Sequence, residues 1–299
     1  MEEAVRVFIT GATGTIGTAI LRKLVEDGHD VTALTRSQRA RQSVMAAGAT
    51  PYAGDLRVPE DWARHAVTHE AIIHTATTFD KDMAEVDGRL VAALLEKVKK
   101  VRHRPRLLYT GGCWLYGDTG ETSADEDHPF NPVPAFAWMV QHARQLLASP
   151  DFSTAVIHPA LVYHGAGGAL ESFMSAATCG QPIEIWGTLD ARWPLIHRQD
   201  LADVYGALLV RCDLIGHFNA VAEEGVPVQQ IADFIAHYSG SEHPHFVVPM
   251  DTLITRHGAA ALGPTLKQGM TAQKLQRLLG WTPKQLDYRA SDLFIPRKN

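Results

Sequence analysis

The sequence has few cysteines and no long apolar run. Cys113, Cys179 and Cys212 are odd in number and far apart, so neither a disulfide framework nor a cysteine-based zinc site is expected. No apolar segment approaches the roughly 20 residues that span a bilayer, and the start, Met1-Glu2-Glu3, lacks the basic region of a signal peptide. We therefore expect a protein of the reducing cytoplasm that does not insert into membranes.

An excess of positive charge is also absent. The 299 residues include 28 lysines and arginines against 33 aspartates and glutamates, which gives a formal net charge of −5. Such a chain has no overall attraction for nucleic acid or for an anionic membrane. The 15 histidines are scattered, and none belongs to a His-Glu-x-x-His or similar spacing, so no metal site is expected.

The most informative segment is a glycine turn, Thr10-Gly11-Ala12-Thr13-Gly14-Thr15-Ile16-Gly17. It follows a short apolar run and precedes an amphipathic one, which predicts a strand, a tight turn and a helix. Backbone N–H groups at a helix N-terminus attract phosphate, and glycine lets the backbone approach it closely. The G-x-x-G-x-x-G spacing differs from the commoner G-x-G-x-x-G fingerprint, but it still predicts a nucleotide pocket.

Strand-like and helix-like segments alternate through the first half of the chain. The predicted strands are Val5–Thr10, Val31–Leu34, Ala71–Thr75, Leu107–Thr110 and Thr154–His158, and the predicted helices are Thr15–Asp27, Gln38–Ala47, Met83–Val101 and Phe136–Ala148. Later segments predict strands at Pro182–Trp186 and Phe218–Val221, a helix over Asp200–Val210 with Asp200 as its cap, and a helix over Thr271–Leu279.

Repeated strand–helix units imply an α/β fold with a doubly wound parallel sheet of the Rossmann type. Ligands bind at the carboxyl ends of the strands in such a sheet, which is where the glycine turn lies. We assign residues 1–160 plus about 198–222 to a nucleotide-binding domain of this type. Residues 161–197 and 223–299 form a smaller C-terminal α/β substrate lobe in this interpretation.

Seven short motifs follow one another along the chain. They are the glycine turn, Gly54-Asp55-Leu56, Ile73-His74-Thr75-Ala76, Tyr116-Gly117-Asp118, His158–Tyr163, His197–Ala202 and Leu279–Pro283. Their order resembles the extended short-chain dehydrogenase/reductase family, close to nucleotide-sugar epimerase-like proteins. The resemblance implies that Asp55 and Leu56 flank the adenine of a dinucleotide, while Thr75 and Ala76 line its ribose and nicotinamide side.

The charge after the second predicted strand indicates which dinucleotide is preferred. An acidic residue at the end of this strand favours NAD(H), whereas an arginine accommodates the 2′-phosphate of NADP(H). Arg36 follows the strand, with Arg39 and Arg41 close behind, and Asp30 lies at its other end. The alternative is a solvated helix start, but we favour phosphate recognition by Arg36 and hence NADP(H) over NAD(H).

The usual catalytic residues of the family are missing. Its members carry a Ser or Thr four residues before the Tyr-Gly pair and a Tyr-x-x-x-Lys on the next helix. Here the corresponding residues are Gly112, Phe136 and Val140. No lysine occurs between Lys100 and Lys267, so no shift of the alignment restores the motif. Phenylalanine and valine side chains neither transfer protons nor form hydrogen bonds.

Other residues near the predicted cleft are candidates for acid–base chemistry. Tyr116 is the first, because a phenol near a cationic nicotinamide has a lowered pKa; the alternative is a packing role for its Tyr-Gly turn. His164 is a proton donor or a loop residue, and Thr110 ends the strand before the missing serine. His142 lies on the helix that lacks the Tyr and Lys and is a further candidate, but we favour its interpretation as an exposed helix residue.

The predicted substrate contacts are Trp114, Phe136, Tyr163 and Arg192. Aromatic side chains around the cleft favour a small apolar substrate over a nucleotide sugar, although each also fits an ordinary core. Arg192 matches a region that touches substrate in relatives, or it caps the lobe. By resemblance, two copies pair through the helices Met83–Val101 and Phe136–Ala148.

Three functions are compatible with these residues. The first is an NADP(H)-dependent reductase acting on a small apolar or unsaturated carbonyl or imine compound, since the cofactor supplies the difficult chemistry. The second is a non-redox cyclase, lyase or isomerase that uses the same pocket. The third is a non-catalytic NADP(H) sensor.

Overall fold

Strands and helices alternate along the chain, as the apolar pattern predicts. The computed structural model describes residues 3–165, 167–240 and 245–294. Its strands are β1 (Arg6–Thr10), β2 (Asp30–Thr35), β3 (Thr50–Ala53), β4 (Ala71–His74), β5 (Arg106–Thr110), β6 (Ser123–Ala124), β7 (Ser153–Pro159), β8 (Leu161–His164), β9 (Gly167–Gly168), β10 (Ile183–Trp186), β11 (Arg192–His197), β12 (Gly216–Ala220), β13 (Glu223–Pro227), β14 (His245–Val248) and β15 (Gly269–Met270). Its α-helices are α1 (Thr15–Glu26), α2 (Gln38–Ala46), α3 (Ala63–Ala66), α4 (Met83–Val98), α5 (Trp138–Ala148), α6 (Glu171–Thr178), α7 (Arg198–Leu209), α8 (Val228–Tyr238), α9 (Met250–His257) and α10 (Gln273–Leu279).

The central sheet contains seven strands in the order β12-β7-β5-β4-β1-β2-β3. Within this sheet, β7 pairs with β5, β5 with β4, β4 with β1, β1 with β2 and β2 with β3, and all these pairings are parallel. Thr10 of β1 lies opposite His74 of β4, and His74 lies opposite Tyr109 of β5. Chain order reverses between β1 and β4, the position where doubly wound sheets bind ligands. The predicted Rossmann-like fold is confirmed.

Apolar helix faces cover this sheet. Ile20 and Leu24 of α1 are fully buried, in keeping with the amphipathic period of the segment. An apolar cluster joins β1, β4 and β5 to α3, α4 and α5, and it includes Phe8, Trp62, Leu90, Val91, Leu107 and Leu146. These contacts fix the helices that follow β1 and β4, and therefore the segments at the carboxyl ends of both strands.

The chain divides into two compact units. The first comprises Met1–Gly111, Trp138–Ile157 and Leu201–Phe218, and the second comprises Gly112–Ala137, His158–Asp200 and Asn219–Asn299. This division differs from the predicted domain limits in two respects. Residues 112–137 belong to the second unit rather than to the nucleotide-binding domain, and the second unit is not the smaller of the two. Long-range pairing is the reason, since β6 of this segment pairs with β15 near the end of the chain.

The second unit is built from small sheets. One has the strand order β13-β11-β8-β9, and the others pair β10 with β14 and β6 with β15. Its core packs the aromatic rings of Phe173, Trp193 and Tyr288 against apolar residues of α8. None of the described helices is long and apolar enough to cross a membrane.

Some predicted element boundaries are corrected by the structure. The helix predicted from Phe136 begins as α5 at Trp138, because Pro134–Phe136 forms a separate 3-10 turn that starts with proline. Asp200 is not the cap of α7, which starts at Arg198. Instead its carboxylate accepts hydrogen bonds of 2.9 Å from the backbone N–H groups of Lys284 and Gln285. This carboxylate holds a later segment of the chain rather than the start of a helix.

Candidate functional site

The glycine turn packs against the end of β4. Gly11 has φ +79°, and a Cβ atom at this position would lie 2.7 Å from both the backbone nitrogen of Ala76 and Oγ1 of Thr75. A Cβ atom at Gly17 would overlap the carbonyl oxygen of Gly11. Side chains are therefore excluded at both positions, and the turn is brought directly beside the predicted Thr75–Ala76 cofactor segment.

The N-terminus of α1 is open to a ligand. Gly14 is the N-cap residue and supplies no side-chain hydrogen bond, and the first turn contains no acidic residue. Thr13, Gly14 and Thr15 are exposed, whereas Ile16 is half-buried. The first N–H groups of a helix have no partner within it, and the helix dipole adds partial positive charge there. This arrangement suits a pyrophosphate.

Arg36 lies directly after β2, next to the turn that leads into α2. Its side chain is exposed and forms no ion pair within the part of the chain that the structure describes. Ser37 caps α2 by accepting a hydrogen bond of 3.2 Å from the N–H of Ala40. Asp30 begins β2, opposite Arg6, and so lies at the far end of the strand. A cation rather than a carboxylate therefore stands at the carboxyl end of β2.

Asp55 and Leu56 follow β3, the strand beside β2. One carboxylate oxygen of Asp55 accepts a hydrogen bond of 2.9 Å from the N–H of Arg57, and the Asp55 carbonyl accepts one of 2.8 Å from Trp62. Leu56 is half-buried against the apolar core of the first unit. The segment is thus held at the same edge of the sheet as Arg36 and the glycine turn, but its contact with adenine stays a prediction.

Thr75 follows β4 and Thr110 ends the neighbouring strand β5, and both hydroxyl groups bond to the backbone. Oγ1 of Thr75 donates to the carbonyl of Thr10 at 2.8 Å, and Oγ1 of Thr110 donates to the carbonyl of His74 at 2.7 Å. The Tyr205 hydroxyl lies 2.6 Å from Oγ1 of Thr110. Because a hydroxyl has one proton, Tyr205 is the donor in that contact. Thr110 consequently has no second proton to give to a substrate.

Sequence reasoning missed a buried polar network in the first unit. Asp87 of α4 accepts hydrogen bonds from Tyr109 at 2.8 Å and from Nδ1 of His142 at 2.7 Å, both on Oδ1, and its Oδ2 lies 3.0 Å from Nε2 of His74. Nδ1 of His74 lies 2.7 Å from Oγ1 of Thr10. The interpretation of His142 as an exposed residue is therefore wrong. One signal was available, since Asp87 falls among the apolar positions of an amphipathic helix.

The charge of Asp87 is stabilised by these donors. Burial alone would raise its pKa, but the hydrogen bonds from His142, His74 and Tyr109 outweigh burial and lower the pKa of Asp87 to about 2. The carboxylate is therefore ionised at neutral pH inside the core.

Tyr116 is buried in the second unit, and its hydroxyl is already engaged. It donates a hydrogen bond of 2.7 Å to Oδ1 of Asn219, and the rings of Phe130 and His158 pack around it. Burial, followed by the charge of Glu126, raises the pKa of Tyr116, which is the opposite of the lowered value expected from the sequence. This geometry corresponds to the packing alternative, and an acid–base role for Tyr116 stays a prediction.

His164 and Tyr163 end β8 in the second unit, and both are buried. Burial, followed by the charge of Arg198, lowers the pKa of His164, so its imidazole is neutral at neutral pH and suits a base better than the predicted proton donor. The Tyr163 ring packs edge-on against His197. Its hydroxyl is buried and has no hydrogen-bond partner among the described residues. Burial raises the pKa of Tyr163, so this phenol stays protonated.

Two of the predicted substrate residues are brought together. The rings of Trp114 and Phe136 lie 5.4 Å apart, and a Cβ atom at Gly263 would overlap the Trp114 ring. Next along the chain, Pro264 accepts a hydrogen bond of 2.8 Å from the indole of Trp193. An aromatic surface therefore lines the 3-10 turn Gly258–Thr265.

Arg192, the fourth predicted substrate residue, is engaged within the second unit. Its Nε and Nη2 donate to the carbonyl of Gly225 at 3.1 and 2.9 Å, and its Nη1 donates to Glu121 at 3.3 Å. These contacts agree with the alternative that Arg192 caps the lobe. Its role toward a substrate stays a prediction.

Known proteins share both the sequence pattern and the fold. Residues 7–221 match the model of the NAD dependent epimerase/dehydratase family. The chain belongs to this family. An uncharacterized protein of Schizosaccharomyces pombe is 28% identical over 288 residues, which cover 93% of this chain and 95% of that protein. A 4-hydroxy-2-methyl-3-oxo-4-farnesyl-3,4-dihydroquinoline-1-oxide ketoreductase of Stigmatella aurantiaca is 27% identical over 168 residues, 53% of this chain and 50% of that protein.

A solved member of the epimerase/dehydratase fold gives the structural comparison. The dTDP-glucose 4,6-dehydratase of Streptomyces venezuelae, with NAD bound, superposes with a TM-score of 0.79 over 96% of this chain and 94% of that chain. Sequence identity is 17%, so this likeness shows the shared fold alone. The epimerase/dehydratase family binds a nicotinamide cofactor, and the glycine turn beside Thr75 and Ala76 fits such a group.

Proposed function

We propose that this member of the epimerase/dehydratase family is a reductase that binds NADP(H) in preference to NAD(H). The observation that carries the cofactor preference is Arg36, an exposed cation at the carboxyl end of β2 without an ion pair in the described chain. An arginine there accommodates a 2′-phosphate through paired, charge-assisted hydrogen bonds. The acidic residue that would favour NAD(H) is absent from this end of the strand.

Each cofactor segment has a distinct role in this proposal. Gly11 and Gly17 let the backbone approach the pyrophosphate, and the open start of α1 supplies N–H donors. Asp55 and Leu56 flank the adenine, and Thr75 and Ala76 line the ribose and nicotinamide. The bound nicotinamide supplies a hydride, and the protein binds and orients the reacting groups around it.

The proposed substrate is a small apolar or unsaturated carbonyl or imine compound. The Trp114–Phe136 pair offers an apolar surface. The sequence lacks the Tyr-x-x-x-Lys motif, and the phenol of Tyr116 is held by Asn219. An activated C=C or C=N bond demands less assistance from a protein acid than a plain ketone. A relative named as a ketoreductase also supports a reductive reaction.

The cofactor preference is tested by calorimetric titration of NADPH and NADH. NADPH is expected to bind more tightly, and Arg36→Asp is expected to abolish or reverse that preference because it replaces the phosphate-binding cation by a carboxylate. Arg64→Asp is the matched control, since Arg64 is an exposed arginine on α3 outside the cofactor segments. Equal affinities of the wild type for the two dinucleotides would contradict the assignment.

The reaction is tested by following the oxidation of NADPH with unsaturated ketones and imines, and the reduction of NADP⁺ with alcohols. Products from UDP- and dTDP-glucose are detected directly, because epimerisation or dehydration leaves the cofactor unchanged overall. Consumption of NADPH with the unsaturated compounds alone supports the proposal. Product formation from a ketone or imine without net NADPH consumption would exclude a net reduction and favour the cyclase, lyase or isomerase alternative. NADPH binding without turnover of any compound would favour the sensor alternative over the reductase, and turnover of a nucleotide sugar would refute the substrate class.

We also propose that two copies of the chain pair through α4 and α5. The two helices pack against each other within the first unit, and Leu90, Leu94, Ala143 and Leu146 belong to its buried apolar cluster. Analytical ultracentrifugation measures the mass directly, and a monomer at all concentrations would refute the pairing.

A further inference from the structure

Phe79, in the segment between β4 and α4, combines an unfavourable backbone conformation with an exposed side chain. Its φ is +51°, and no other non-glycine residue in the described part of the chain has a positive φ. Such a conformation is unfavourable for a bulky side chain. The ring is 78% exposed, more than any other large apolar side chain among the described residues, so burial does not compensate the strain. Strained residues of this kind cluster at ligand sites.

Arg57 holds the chain directly after Phe79. Nη2 of Arg57 donates a hydrogen bond of 2.6 Å to Oδ2 of Asp80, and its Nη1 donates to Oδ2 of Asp82. Arg57 is itself held, because its backbone N–H donates to the carboxylate of Asp55 at 2.9 Å. The strained residue therefore belongs to an anchored segment, and its ring is presented at the surface by that anchor.

Phe79 also lies close to the proposed cofactor site of the first unit. It follows Ala76 by three residues, and three residues span at most about 10 Å. Ala76 packs at the glycine turn, because a Cβ atom at Gly11 would lie 2.7 Å from its backbone nitrogen. In the proposed function Ala76 lines the nicotinamide. A compound that reacts with the nicotinamide therefore comes near the segment that carries Phe79.

The charges around Phe79 favour an uncharged ligand over the phosphates of a dinucleotide. Both Nη atoms of Arg57 are engaged by the carboxylates of Asp80 and Asp82. These two carboxylates also balance the positive charges of Arg57 and Lys81, so the segment has no net attraction for phosphate. An aromatic ring stacks favourably on another flat, unsaturated group. We propose that Phe79 is a specificity-determining residue that contacts the substrate and selects flat, conjugated carbonyl or imine compounds, an inference that rests on the proposed function.

The test is the dissociation constant of acetophenone, a flat conjugated ketone, from the protein saturated with NADP⁺, which cannot reduce it. Cyclohexyl methyl ketone is the matched probe, because it has the same carbon skeleton with a saturated ring. Phe79→Ala should weaken acetophenone binding about tenfold, the upper end of what one stacked aromatic pair contributes. The saturated ketone should lose less affinity, and Phe79→Tyr, which keeps the ring, should bind both probes like the wild type.

Two further variants distinguish a substrate contact from a structural role. Phe246→Ala is the matched control, since Phe246 is an exposed phenylalanine on β14 of the second unit, and it should leave acetophenone binding unchanged. Phe79→Gly removes the strain, because glycine adopts positive φ readily. It should therefore be at least as stable as the wild type in thermal unfolding while it loses affinity for acetophenone. A ring that serves the fold would give the opposite result, lower stability with unchanged affinity.

The outcomes separate this inference from the proposed function. Absence of binding of either dinucleotide to the wild type would overturn both. If the dinucleotide binds but acetophenone does not, or if Phe79→Ala binds acetophenone as tightly as the wild type, only the role of Phe79 is overturned. Weaker binding of NADPH to Phe79→Ala would show that the ring contacts the dinucleotide and would overturn the substrate assignment. Equal losses for the two ketones would overturn the selection of flat compounds.

Discussion

Replacement of Gly11 by alanine tests whether the turn needs glycine for its conformation, for the close approach of β4, or for both. Alanine at φ +79° carries a conformational cost of about 1–2 kcal/mol. The added Cβ would also lie 2.7 Å from two atoms of the Thr75–Ala76 segment, closer than such atoms normally approach. Forced overpacking of this kind costs about 1–3 kcal/mol more.

Gly28 provides the matched control for this prediction. It has φ +86°, and a Cβ atom there would meet nothing within 4 Å. Gly28→Ala therefore carries the conformational cost alone, and Gly11→Ala is expected to be less stable than Gly28→Ala by about 1–3 kcal/mol. Thermal and urea unfolding measure this difference.

Dinucleotide binding completes the test of Gly11. The displaced Thr75–Ala76 segment lines the cofactor in the proposed function, so Gly11→Ala should lose measurable NADPH binding while Gly28→Ala retains it. The reasoning would be refuted if the two variants were equally stable. It would also be refuted if Gly11→Ala bound NADPH with the affinity of the wild type.

Three further predictions follow from the charged and hydroxyl groups. Because the pKa of Asp87 is lowered from 3.8 to about 2, its ionised form stabilises the fold above about pH 4 and this contribution is lost as pH falls through 2. Asp87→Asn should remove about 2 kcal/mol of that pH dependence in acid-unfolding curves, and an unchanged slope would contradict the role of the network. Tyr116→Phe removes the hydrogen bond to Asn219, so the variant should lose about 1 kcal/mol of folding stability and keep its turnover. If turnover is lost while stability is unchanged, Tyr116 is a catalytic acid after all. The preference for NADPH should shrink between low and high salt, since Arg36 is exposed and its charge is screened within about 8 Å at physiological ionic strength; a salt-independent preference would exclude Arg36 as its source.

The local sequence pattern was sufficient to predict the strand, turn and helix that form the proposed cofactor site. The apolar run of β1, the glycine turn and the amphipathic α1 are contiguous in the chain, so period and glycine spacing predict them together. Parallel strands align their carboxyl ends, so the same pattern also predicts that Gly11, Arg36 and Thr75 share one edge of the sheet. Family membership follows from the same ordered motifs.

Only the tertiary structure decided which buried polar groups are hydrogen-bonded to one another inside the protein. Asp87 and His142 are 55 residues apart, and Tyr116 and Asn219 are 103 apart, yet each pair is joined by a hydrogen bond of 2.7 Å. Sequence supplied the residue types at these positions, including an aspartate on an apolar helix face and a tyrosine in a family motif. It did not specify their partners, because burial and charge compensation depend on which helix and strand faces meet after folding. For that reason the sequence determined where a dinucleotide is expected, while the packed structure decided that Tyr116 is engaged by Asn219 and that a buried carboxylate lies behind the glycine turn.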